Sequence, residues 1–181
     1  VNKQSVAELA LTLILLSLRR IHQNHAEIQE GIWSQEKGAE LFGKTVGLLG
    51  FGNIGQKLAS FLKPFNCSII FFDEKIFSNQ ELSSISKDLG WKSDGIQQDE
   101  LEAVLNQADI LSIHLPLLQD TENIISIKEL CQLKPSVSII NTARGGIVNE
   151  AALHSFLLKN PNAFAAFDVY AEEPALENKL F

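Results

Sequence analysis

The sequence predicts an α/β domain: a doubly wound parallel sheet with helices on both faces, preceded by a long linking helix. Three observations carry that expectation. From Thr45 onward short apolar runs alternate with amphipathic segments, the runs are apolar continuously rather than at every second residue, and a glycine-spaced turn follows the first run. A strand buried on both faces loses in–out alternation, which marks a parallel sheet covered by helices.

Ser5 to about Ile28 reads as one long helix. Ser5 and Glu8 form a capping-box pattern, and Leu9, Leu13, Leu16, Ile21 and Ile28 roughly follow helical spacing. The first half is apolar widely around its circumference, so it should be buried on more than one side, as against a partner subunit or domain. Gly31 to Phe42 reads as a loop or arm with Trp33 as an anchor. Then come a strand at Thr45–Leu49, a helix at Ile54–Leu62 and a second strand at Cys67–Phe72. Ser78 to Asp99 is largely polar without a clear period and reads as a surface excursion. Helical pieces at Leu101–Asn106, Ile127–Leu133 and Glu150–Lys159 alternate with strands at Ile110–Ile113, Val137–Ile140 and Ala163–Phe167.

A chain of 181 residues suffices for one domain with an appendage, and 45% hydrophobic with 20% charged residues is ordinary for a globular protein. The net charge of -7 argues against a nucleic-acid partner, which requires a basic face. Cys67 and Cys131 lack metal-ligand spacing and are expected as buried free thiols, with no metal site. The most apolar stretch, Val6 to Leu18, carries Glu8 and falls short of the ~20 residues of a membrane span. It lacks the flanks of a signal peptide, so the default expectation is a cytoplasmic setting. A chain that begins at Val1 and holds no Met is expected to be a piece of a longer protein.

The turn Gly50-Phe51-Gly52-Asn53-Ile54-Gly55 sits where a strand must pass sharply into a helix. Glycines there let the backbone turn, let a pyrophosphate approach and let the helix pack on the strand, while the helix N-terminus offers unpaired N–H groups. The second strand ends at Asp73, close to the ~20-residue spacing at which this Rossmann-type pattern places an acid for the adenosine ribose hydroxyls. A carboxylate there would repel the extra phosphate of NADP, so the expected cofactor is NAD, with nearby Lys75 leaving an opening for NADP.

Further motifs follow in order: Ser5-Val6-Ala7-Glu8-Leu9-Ala10, Arg19-Arg20, Gly43-Lys44-Thr45-Val46-Gly47, His114-Leu115-Pro116-Leu117 and Leu133-Lys134-Pro135. The most specific are Ile140-Asn141-Thr142-Ala143-Arg144-Gly145-Gly146 and Phe167-Asp168-Val169-Tyr170-Ala171-Glu172-Glu173-Pro174. With these, nearly the whole chain resembles the D-isomer-specific 2-hydroxyacid dehydrogenases. It departs from the commonest pattern at Leu118, where Thr is usual, and at Ser136, where Gly is usual. The resemblance implies a linking and dimerisation helix over residues 1–30, an NAD-binding domain over 31–181, and a homodimer. It implies that Asn53 and Ile54 contact the pyrophosphate and that Leu115, Pro116 and Thr121 flank the adenosine half. Thr142 and Ala143 would line the nicotinamide end, and Asp168 would hold the carboxamide.

The same resemblance assigns the chemistry. Arg144 would pair its guanidinium fork with the carboxylate of a 2-hydroxy or 2-keto acid and polarise the carbonyl. Glu173 would orient a catalytic His and favour its protonated form. That His belongs in a Pro-His pair that this sequence does not contain. His22, His25 and His154 read as surface groups, and His114 as a strand-end residue distinct from the proton donor. These 181 residues are therefore expected to hold NAD without turnover, as part of an oxidoreductase whose substrate could be 3-phosphoglycerate. The alternative is an NADH-sensing corepressor-like protein of the same fold. A methyltransferase is disfavoured by Asn141-Thr142-Ala143-Arg144.

Overall fold

The computed structural model describes residues 2–34, 37–92 and 95–180; Gln35 and Glu36 of the expected arm and Ser93 and Asp94 of the expected excursion lie outside the described residues. Among the described residues, β1 (Thr45–Leu49), β2 (Ser68–Phe72), β3 (Ile96–Gln98), β4 (Ile110–Ile113), β5 (Ser138–Asn141) and β6 (Phe164–Phe167) form one sheet in the order β3-β2-β1-β4-β5-β6. Every neighbouring pair is parallel. The chain winds outward from β1 in one direction, then outward from β4 in the other. The carboxyl ends of β1 and β4 therefore flank the switch point, where open α/β sheets bind ligands.

Two apolar layers hold this sheet. On one face α1 (Lys3–Leu18) and α3 (Asn53–Leu62) bring Ala7, Ala10, Ile14, Leu58 and Leu62 against Val46, Leu48, Phe71, Ile110 and Ile140. On the other, α5 (Leu101–Gln107), α6 (Ile127–Leu130) and α7 (Glu150–Lys159) cover Leu49, Ile70, Leu111, Ile113 and Ile139. Successive residues such as Leu48 and Leu49 thus serve opposite layers and are both fully buried. Each such side chain contributes roughly 1.5–3 kcal/mol, which explains why very short strands suffice. Among the described residues no helix is long and apolar enough to cross a membrane.

The expected long helix is two helices. α1 ends at Leu18, Arg20 takes a left-handed backbone (φ 51°), and α2 (Ile21–Gln29) begins afresh. The cause lies farther along the chain: the Ala39 amide donates to the Leu18 carbonyl (2.8 Å), so that carbonyl is not left for a continuing helix. The helix also starts earlier than expected, with Asn2 rather than Ser5 at the cap. Its buried stripe is narrow, Ala7, Ala10, Ile14 and Ser17, so much of the remaining apolar circumference stays partly exposed.

The polar excursion also contains structure. α4 (Asn79–Asp88) starts at a Ser78/Glu81 capping box and turns Leu82 and Ile85 inward, and β3 adds a three-residue edge strand. Trp33 is 79% exposed and anchors nothing. Cys67 is buried as expected, but Cys131, at the end of the short α6, is exposed. His22 is exposed, as expected, with its ring against that of Phe164, 4.8 Å between centroids.

Candidate cofactor site

The site begins where β1 stops. Gly50 has a left-handed backbone (φ 96°) and its amide donates to the Phe72 carbonyl at 2.8 Å. A side chain on Gly55 would collide with the Gly50 carbonyl, so glycine at both positions lets α3 close on the strand. Gly52 differs, because a Cβ there would meet nothing and would project into open space. Gly52 is also the N-cap of α3 and supplies no side-chain cap, so Asn53 and Ile54 lead the helix with amides free for a phosphate.

Phe51 lies in this turn but points into the core. Its ring is fully buried and stacks on Phe71 at 4.0 Å, with Phe77 set edge-on to Phe71 at 5.6 Å. Asp73, at the end of β2, binds the same turn: Oδ2 accepts the Phe51 amide (2.7 Å) and Oδ1 accepts the Lys75 amide (2.9 Å). Two ordered N–H bonds fix the carboxylate, and each oxygen retains a lone pair for a ribose hydroxyl.

Beyond β4, the Thr121 hydroxyl donates to the Pro116 carbonyl (2.6 Å) and accepts the Leu118 amide (2.8 Å). Thr121 therefore shapes the loop that carries buried Leu115 and exposed Pro116. His114 stands beside Gly50 across the switch point, its amide donating to the Leu49 carbonyl (2.7 Å). Its Nε2 lies 3.0 Å from the Ser112 hydroxyl, while Nδ1 is buried without a partner among the described residues. Burial pushes this imidazole down to about 4, so it is neutral at physiological pH.

The β5 end carries Asn141, which the sequence marked only as part of a motif. Its Oδ1 accepts the Ala143 amide (3.1 Å) and its Nδ2 donates to the Arg144 carbonyl (3.0 Å), pinning the loop. Thr142 and Ala143 are buried, and Thr142 Oγ1 has no partner among the described residues. Arg144 is exposed, with Nη1 donating to the Ala143 carbonyl (2.6 Å). A side chain on Gly145 would run into the Tyr170 carbonyl, so this loop and the one after β6 lie in contact. Asp168 donates its amide to the Asn141 carbonyl (3.0 Å), and Glu173 Oε1 accepts the Tyr170 amide (3.0 Å). Glu150, unnoticed in the sequence, ties this segment to α7 through the Ala171 amide and Asn178 (2.7 Å each).

The glycine turn, Asp73, the Leu115-Pro116 loop, Thr142, Arg144, Asp168 and Glu173 therefore follow five strand ends, those of β1, β2, β4, β5 and β6, along one carboxyl edge. A matching family model describes the D-isomer specific 2-hydroxyacid dehydrogenase, NAD binding domain, and matches residues 11–181. The chain belongs to this family. The open face at Gly52 and the orphaned hydroxyl of Thr142 suit the NAD that this domain binds.

The domain is 36% identical to D-3-phosphoglycerate dehydrogenase from Methanocaldococcus jannaschii, covering 97% of this chain and 32% of that protein. It is 36% identical to hydroxypyruvate reductase from Thermotoga maritima, over 94% of this chain and 52% of the relative. The NAD-dependent formate dehydrogenase from Staphylococcus aureus, solved in complex with NAD, superposes with a TM-score of 0.84 at 31% identity, covering 99% of this chain and 51% of that one. The NAD-binding domain thus spans about a third to a half of the length of the proteins it matches.

Proposed function

We propose that this domain serves an NAD-dependent oxidoreductase acting on a D-2-hydroxy acid or its 2-keto acid, with 3-phosphoglycerate the favoured substrate. The observation that supports this reading is the close approach of the β5 and β6 loops at Gly145 and Tyr170, since Arg144 lies on the first loop and Asp168 and Glu173 on the second. The names of the phosphoglycerate dehydrogenase relatives support the substrate. NAD supplies the hydride acceptor when bound. Asn53 and Ile54 hold the pyrophosphate, Asp73 the ribose, Leu115 and Pro116 the adenosine flank, and Thr142, Ala143 and Asp168 the nicotinamide end. Arg144 orients the substrate carboxylate and stabilises charge developing on the carbonyl oxygen. Glu173 orients the imidazole of a catalytic His and favours its protonated form.

The test is steady-state kinetics of the full-length protein with NADH and a panel of 2-keto acids, 3-phosphohydroxypyruvate included. Arg144→Lys should lower kcat/KM on the best substrate by about 100-fold or more, since a point charge does not replace the fork. Absence of turnover with every 2-keto acid would overturn the reading.

The same reading includes a homodimer in the cytoplasm, with residues 1–30 linking and dimerising and 31–181 holding the cofactor. Ile21, Ile28, Ile32, Trp33 and Phe42 are all more than half exposed, which supports a partner over this end of the chain. The free thiols Cys67 and Cys131 suit a reducing compartment. Sedimentation of the full-length protein as a monomer at micromolar concentration would sink the dimer.

A further inference from the structure

Residues 73–77 form the turn leaving β2, and Gln98 on β3 braces it. Gln98 Nε2 donates to the Lys75 carbonyl (2.7 Å) and Oε1 accepts the Phe77 amide (2.9 Å). With the Lys75 amide on Asp73 Oδ1, the Lys75 backbone is held beside the carboxylate that meets the ribose. A lysine stem is long enough to carry its ammonium from there to a phosphate on that ribose.

The stem is directed elsewhere. Lys75 Nζ lies 3.0 Å from Glu81 Oε1 on α4 and 4.3 Å from the Phe77 ring centroid. Glu81 is itself fixed, because Oε2 accepts both the amide (2.8 Å) and the hydroxyl (2.9 Å) of Ser78 in the capping box. The Ser78 bonds, together with Lys75, hold this acid down at about 2, so it is ionised in any ordinary buffer. A cavity of about 320 Å³ beside the turn is lined by Asp73, Asp99 and Glu100 as well as Phe72 and Phe77, which adds negative charge around Asp73.

We propose that Glu81 is a positioning residue for cofactor selectivity: by clamping Lys75 onto α4 it withholds the cation that a 2′-phosphate would need, and so favours NAD over NADP. The proposal rests on Asp73 as the ribose-binding acid. Glu81 touches no part of the cofactor and acts only through Lys75.

The test is fluorescence titration of the purified chain with NADH and NADPH. Glu81→Gln keeps the capping geometry, which glutamine also satisfies, and removes only the charge. It should tighten NADPH about three- to fivefold, the scale of one exposed ion pair, and leave NADH within about twofold. The gain should shrink as ionic strength rises and vanish in Glu81→Gln combined with Lys75→Ala. An unchanged NADPH-to-NADH ratio, equal tightening of both, or a gain that survives Lys75→Ala would overturn the clamp. Asp73→Ala separates the two layers: unchanged NADH affinity in that variant removes the ribose reading and the clamp with it. Weakened NADH binding beside an unchanged ratio in Glu81→Gln removes the clamp alone.

Discussion

At the adenosine end of the cleft both oxygens of Asp73 already accept backbone amides, Phe51 is stacked into the core and Gln98 braces the adjoining turn. At the proposed nicotinamide end Thr142 buries a hydroxyl with no partner among the described residues, Arg144 donates back to the Ala143 carbonyl, and Glu173 accepts an amide of its own turn. The first end is complete before any ligand arrives and can bind without reorganising. On the proposed function, the second holds polar groups whose partners would come with the cofactor and substrate, so that binding energy is directed to the reacting centre.

The largest expected effect would break the nicotinamide end alone. Gly145→Ala forces the β5 and β6 loops apart at the Tyr170 carbonyl and should cost about 3 kcal/mol in urea unfolding. ADP-ribose, which lacks the nicotinamide, should still bind with near-native affinity; loss of both ligands would show that the two ends are not separable.

His114 stands between the ends, and its burial gives a pH signature. Its folded pKa lies below its unfolded one, so the unfolded chain binds the proton more readily between the two. The contribution to stability is full above about 6.5 and disappears progressively toward about 4, on the order of 3 kcal/mol in all. Urea midpoints across that window should flatten in His114→Gln, and an unaltered slope would remove the histidine from the account.

Asp73→Asn breaks the adenosine end. An amide has one acceptor atom and one donor, but both Asp73 oxygens face N–H groups, so one contact becomes repulsive. A loss of about 1–3 kcal/mol and at least about tenfold weaker NADH binding are expected; a neutral outcome would mean that the turn does not depend on the carboxylate. The smallest effect sharpens the contrast. Thr142→Val removes an orphaned hydroxyl, so the chain without ligand should gain up to about 1 kcal/mol while NADH weakens a few-fold.

The legible parts of the fold were those fixed by local chemistry. The central strands read correctly because burial on both faces leaves continuous apolar runs, and the glycine turn because only glycine fits Gly50 and Gly55. The illegible parts depend on distant chain. α1 stops at Leu18 because an amide from Ala39 takes its carbonyl, which no helical period reveals. β3 was hidden because an edge strand of Ile96, Gln97 and Gln98 is short and half polar. At the site, the motif residues came together on one edge, but the groups that brace them, Phe51, Gln98, Asn141 and Glu150, carry no spacing signal of their own.

The contact of Gly145 with the Tyr170 carbonyl has a mechanical meaning as well as a steric one. With no side chain as a spacer, the two backbones bear directly on each other, and Asn141 and Glu150 tie each loop to the scaffold. A pull on Arg144 is therefore passed to the turn that carries Glu173 with almost no slack. An anion captured by Arg144, as proposed, would press on the turn that carries Glu173, as in a lever whose fulcrum is a missing methyl group.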